Sequence, residues 1–158
     1  MKLTTILFFF LLAGSSWSQD SYADIQDEFV RYCGHADTST LMKNVAFVDS
    51  VAQIKGVGNE EKFLIDYGQA YYAKYLLTKE RTDLIVSNDA FARCWEHYGN
   101  TNMLYSIALG YAAYDCFMAR KYLLILEEII ENGELDFPDS AESFTAQIKM
   151  VRDFVCPE

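Results

Sequence analysis

Proline is nearly absent from this 158-residue chain, with only Pro138 and Pro157 present, and the glycines gather where helical patterns end. Alternation of β-branched and polar residues is scarce too, so nothing reads as a strand and the chain reads as helices with short breaks. Basic residues are few: 13 Lys and Arg stand against 23 Asp and Glu, a net charge of −10. That shortage argues against nucleic acid, where phosphates must be neutralised by Lys and Arg, and against anionic membrane surfaces. No apolar run reaches the length of about 20 residues that a membrane span needs. There is no C-x-x-C pair, which argues against a thioredoxin-like redox site. G-x-S-x-G is missing, and Gly56-Val57-Gly58 lacks the continuation that a dinucleotide site requires. The two histidines, His35 and His97, neighbour no nucleophile except Cys33 and Cys94. No catalytic set is left, and no cofactor is expected.

What is present begins with an export signal. Met1-Lys2 gives a basic start, Leu3 to Gly14 is apolar, and Ser16-Trp17-Ser18 puts small residues at −3 and −1. Residues 1–18 are therefore expected to be a cleaved signal peptide and 19–158 a single domain, secreted or periplasmic. Leu12-Ala13-Gly14-Ser15 has the outline of a lipoprotein box, but Ser15 stands where the lipid-bearing cysteine would be, so no membrane anchor is expected after cleavage. Cleavage removes Lys2 and no acid, leaving 12 basic against 23 acidic residues, a net −11. Such a charge favours a basic protein partner, or simply keeps an exported protein soluble.

Apolar spacing predicts the helices. A first helix over Asp20–Cys33 carries Tyr22, Ile25, Phe29 and Tyr32 on one stripe and stops at Gly34. A second, capped by Thr38 or Ser39, buries Leu41, Val45, Val48 and Val51, then fails at a flexible break over Lys55–Gly58. Asn59 caps a third that runs to Thr78, with Lys62, Asp66 and Gln69 on its polar side. A fourth runs from Thr82 or Asp83 to Tyr98, with Leu84, Phe91, Cys94, Trp95 and Tyr98 inward and a soft spot at Ser87-Asn88-Asp89. The last, after Asp139-Ser140-Ala141-Glu142, turns Phe144, Ile148, Val151 and Val155 inward.

The stretch MLYSIALGYAAY, Met103–Tyr114, is apolar around its whole circumference, which marks a helix buried among others. Its pattern continues to Asn132 and stops at Gly133. One helix of those 30 residues would span about 45 Å, against roughly 37 Å for the whole domain. A turn is therefore expected near Asp115–Ala119. That turn decides the cysteines. With helices alternating up and down, a break there brings Cys116 and Cys156 to the same end, whereas an unbroken helix would put Cys156 beside Cys94. Cys116–Cys156 is the expected disulfide.

FLIDYGQAYY (Phe63–Tyr72) and YSIALGYAAY (Tyr105–Tyr114) align at an offset of 42, matching Ile65/Ile107, Gly68/Gly110, Ala70/Ala112 and Tyr72/Tyr114. With Tyr67-Gly68, Tyr71 and Leu109-Gly110 in place, about 20 residues resemble the first helix of a tetratricopeptide-type repeat. The family's tryptophan and terminal proline are missing, so the resemblance implies a stack of helical hairpins and no binding residues. The expected fold is all-α: antiparallel helical hairpins, six or seven helices, arranged as a tetratricopeptide-like stack or a helical bundle.

Three functional readings are open. The leading one is an exported, non-enzymatic protein-interaction module, in its sharpest form an immunity-type inhibitor of a basic exported toxin or hydrolase. Its partner-binding candidates are Tyr72 and Leu76 on the third helix and the acidic stretch Glu127, Glu128 and Glu131, which otherwise reads as a solvated face. A second is a small metal- or thiol-dependent protein in which Cys33, His35, Cys94 and His97 would offer two sulfurs and two imidazoles; against it, C-x-H is an unusual spacing and buried cysteines serve as small hydrophobes. The third is a ligand carrier with an apolar cavity between helices three and five.

Overall fold

The computed structural model describes residues 21–26, 29, 37–135 and 141–156. The expected signal peptide, Cys33 and His35 lie outside them. Seven α-helices occur among the described residues and no strand: α1 (Tyr22–Ile25), α2 (Thr38–Val51), α3 (Glu61–Thr78), α4 (Arg81–Tyr98), α5 (Asn102–Ala112), α6 (Cys116–Asn132) and α7 (Ala141–Met150). Each of α2 to α6 packs on its neighbours in chain order. The connectors from α3 to α6 are only two or three residues long, so these four helices run antiparallel in turn. Gly99 and Gly133 close α4 and α6 at φ 68° and 72°, a left-handed conformation that costs a glycine little. Lys79 takes the same role after α3 without being a glycine (φ 59°).

Two apolar cores form. One gathers Tyr22, Phe29, Val45, Val48 and Phe63 around α2 and α3; the other gathers Leu104, Ile107, Leu123, Leu126, Ile148 and Val151 around α5, α6 and α7. Glycines set the spacing between them. A Cβ on Gly68 of α3 would lie 2.4 Å from the Phe91 ring of α4, and one on Gly110 of α5 would lie 1.9 Å from Asn88 Oδ1 of α4. Helix α4 thus packs closely on both glycines that the internal alignment pairs, through the neighbouring positions Asn88 and Phe91.

Several expectations change for identifiable reasons. The first helix ends early: Phe29 N–H donates to Gln26 O (2.8 Å), a tight turn, and Phe29 sits in a bend. Asp37, not Thr38 or Ser39, caps α2 by accepting from Thr40 N (2.7 Å). Asn59 does not cap α3; its carbonyl accepts from Tyr98 Oη (2.6 Å) while Arg93 donates to its side chain and to Gly58 O. That pins the loop expected to be a flexible break, and explains why Tyr98 is exposed. Asp66 is buried, not on a polar side. The soft spot at Ser87-Asn88 is continuous helix: Ser87 Oγ donates to Gly68 O (2.8 Å) and Asn88 Nδ2 to Tyr114 Oη (3.1 Å), so both polar side chains are satisfied inside.

The expected turn before α6 exists but comes earlier than Asp115–Ala119, over Ala113–Asp115, and Cys116–Ala119 form the first turn of α6. Helix α5 ends at Ala112, and Asp115 caps α6 by accepting from Met118 N (3.1 Å). Cys116 and Cys156 are joined, with Cα atoms 5.4 Å apart. The chain reaches Cys156 through a π-helical turn, Val151–Val155, in which Cys156 N–H donates to Val151 O (2.9 Å). That wider turn moves the inward position one residue on, so Cys156 is buried where α-helical spacing expects Val155, and Val155 is exposed.

Candidate functional site

Between α3 and α5, on one side of α4, lies a cleft of about 330 Å³. Helix α3 presents Gln69, Tyr72, Ala73 and Leu76 to it, spaced i, i+3, i+4, i+7 and hence on one face. Helix α5 contributes Met103, Tyr105, Ser106 and Leu109, and Phe91 of α4 forms the floor. The apolar circumference of α5 is now explained: it faces α4, α6 and this cleft. No charged side chain lines the space. Tyr72 and Tyr105 are half-buried, and burial raises both phenols above their ordinary value, with Tyr75 adding to the rise at Tyr72 and Tyr72 at Tyr105. Both remain neutral hydroxyls. Leu76 stands at the rim, exposed.

A different surface runs along α6. Its inward positions are Ala119, Tyr122, Leu123, Leu126 and Ile129. On the opposite side, two turns apart, Phe117 is 79% exposed and Leu124 61%. Exposed Lys121 stands between them on the same face, and Glu128 and Glu131 continue it at four and seven residues beyond Leu124, both exposed and with no ion-pair partner among the described residues. Glu127 lies at the edge of this face, in an ion pair with Arg152 of the π-helical turn. Val155 extends the apolar end: it is exposed, and its carbonyl oxygen lies 3.9 Å from Cys116 Sγ. The disulfide fixes that end of the surface.

The sequence candidates thus fall into two places. Tyr72 and Leu76 belong to the α3–α5 cleft; Glu127, Glu128 and Glu131 belong to α6, which packs on α5 and α7 instead. Cys94 is fully buried, and burial, assisted by Glu61, pushes its thiol up to about 11, the reverse of an activated nucleophile. His97, three residues on, is exposed. Among the described residues no three His, Cys, Asp or Glu side chains converge as metal ligands. The residues that sequence reasoning passed over are Phe117 and Leu124. A wheel of α6 does carry their signal, since both fall opposite the buried stripe.

Among the described residues no helix is long and apolar enough to cross a membrane. A search for protein-family models, for curated proteins and for solved structures similar to this chain finds no match in any of the three comparisons.

Proposed function

We propose that this chain is an exported, non-enzymatic interaction module that binds a basic protein through the outer face of α6. The observation that carries the reading is the pairing of Phe117 and Leu124, two large apolar side chains in water, with the exposed carboxylates of Glu128 and Glu131, unpaired among the described residues, on one helix face. An apolar centre with a charged rim is the anatomy of a protein–protein contact; one exposed cation, Lys121, stands between Phe117 and Leu124, and the two carboxylates at the far end of the face favour a basic partner and speed its encounter. The net charge of the chain acts in the same sense. Export rests on the basic start, apolar run and small residues over 1–18, and the Cys116–Cys156 bond is of the kind that oxidising compartments keep. In its sharper form the module occludes a basic exported toxin or hydrolase, on a frame built as a tetratricopeptide-like stack.

The test is capture from culture medium and periplasmic extract by the immobilised protein. A basic partner should be retained by the wild type, released by raised salt, and lost with Leu124→Glu. Glu128→Lys should weaken capture while changing folding stability by less than about 0.5 kcal/mol, because Glu128 is solvated. Capture that survives Leu124→Glu, or a partner that is acidic, counts against this surface.

A further inference from the structure

The cleft between α3 and α5 plays no part in that reading. We infer that it is a separate binding site for a small, neutral, mainly apolar molecule bearing one hydrogen-bonding group. Size sets the first limit. An apolar cavity of about 150 Å³ holds benzene, and this one is about 330 Å³, so its occupant has on the order of a dozen non-hydrogen atoms. Ligand sites begin at roughly this volume.

The walls set the second limit. Ala73, Leu76, Phe91, Met103 and Leu109 supply an apolar lining, and the flexible thioether of Met103 can adjust to irregular shapes. The polar residues that line it are all uncharged: Gln69, Tyr72, Tyr105 and Ser106. An ion entering here would give up hydration and meet no counter-charge among the lining residues, a loss that disfavours any charged occupant. A carbonyl, ether or hydroxyl would instead accept from a phenol, and burial keeps those phenols protonated. Only one end of the occupant need be polar.

Two dyes with the same naphthalene body, of the size the cleft admits, separate charge from shape: neutral 1-naphthol and anionic naphthalene-1-sulfonate. Titrated into the purified, oxidised protein, the neutral dye should bind saturably with one dye per chain, and the sulfonated dye at least about tenfold more weakly. Ser106→Trp fills the space and should abolish binding. Leu76→Arg acts at the exposed rim, where folding is not at risk, and should weaken the neutral dye about tenfold by placing a charge at the mouth. Leu124→Glu, on the α6 face, should leave dye binding unchanged, so that failure of this site and failure of the partner surface are told apart. The inference is overturned by no saturable binding of the neutral dye, by equal affinity for both dyes, or by neutral-dye affinity that Leu76→Arg leaves untouched.

Discussion

Asp66 shows how far a single residue can depart from its pattern. On α3 it follows Lys62 and precedes Gln69, which marks a polar edge, yet it is 4% exposed. Its Oδ2 accepts from Tyr22 Oη (2.8 Å) and from Gln26 Nε2 (2.8 Å), both from the segment that carries α1. The same segment is held at its start, where Tyr22 N–H reaches the Glu60 carboxylate at 3.0 Å. Tyr22→Phe keeps the ring against Phe63 and removes only the hydroxyl. The buried carboxylate then retains one of its two donors, and a bond to a charged group is worth about 1.5–3 kcal/mol. The variant should lose about 2 kcal/mol in urea unfolding; a loss below about 0.5 kcal/mol would mean that water replaces the phenol. None of this was legible in the sequence, because the donor sits 44 positions away and local periodicity carries no trace of it. Leu41, Val45 and Val48, by contrast, were legible, since their burial depends only on the spacing within α2.

At the scale of the helix, contacts that need long-range knowledge hid in the same way, while limits of length did not. The turn before α6 is legible from comparing a helix length with a domain diameter, although neither glycine nor proline marks it. What spacing could not show is that Gly68 and Gly110 both face α4, against Phe91 and Asn88, which are neighbours at i+3 and i on that helix. Gly110→Ala tests the tighter approach. The new methyl would overlap the Asn88 amide, which is buried and donates to Tyr114, so the amide must move and the bond is lost. A cost of about 1–3 kcal/mol is expected. Asn88→Ala vacates that space. In its background Gly110→Ala should become neutral or stabilising by up to about 1 kcal/mol, because alanine is the better helix former. A change of sign across this cycle is the signature of contact. Equal effects in both backgrounds would show that Gly110 is kept for another reason.

Across the whole molecule, one covalent bond joins the end of the chain to the start of α6. The Cys116–Cys156 bond spans 40 residues, and in the chain-entropy account a loop of that size lowers the freedom of the unfolded state by about 4 kcal/mol. Other contacts hold the same corner. Arg120 donates through Nε and Nη2 to Cys156 O (3.2 and 3.1 Å), Glu127 pairs with Arg152, and Ile148 and Val151 are buried in the core that Leu123 and Leu126 share. Reduction should therefore leave the helices in place while lowering the melting temperature, and Cys116→Ser with Cys156→Ser should reproduce the loss. The two proposed sites should then separate. Phe117 and Val155 stand beside the disulfide, so freeing it loosens the apolar end of the α6 face and should weaken partner capture. The α3–α5 cleft is built from α3, α4 and α5, none of which carries either cysteine, so neutral-dye affinity of the reduced but folded protein should stay within about twofold of the oxidised form. Circular dichroism, melting and dye titration, each with and without reductant, read these outcomes. Loss of dye binding on reduction, with helicity retained, would show that the cleft depends on the α6–α7 corner and is not set by the glycine contacts to α4.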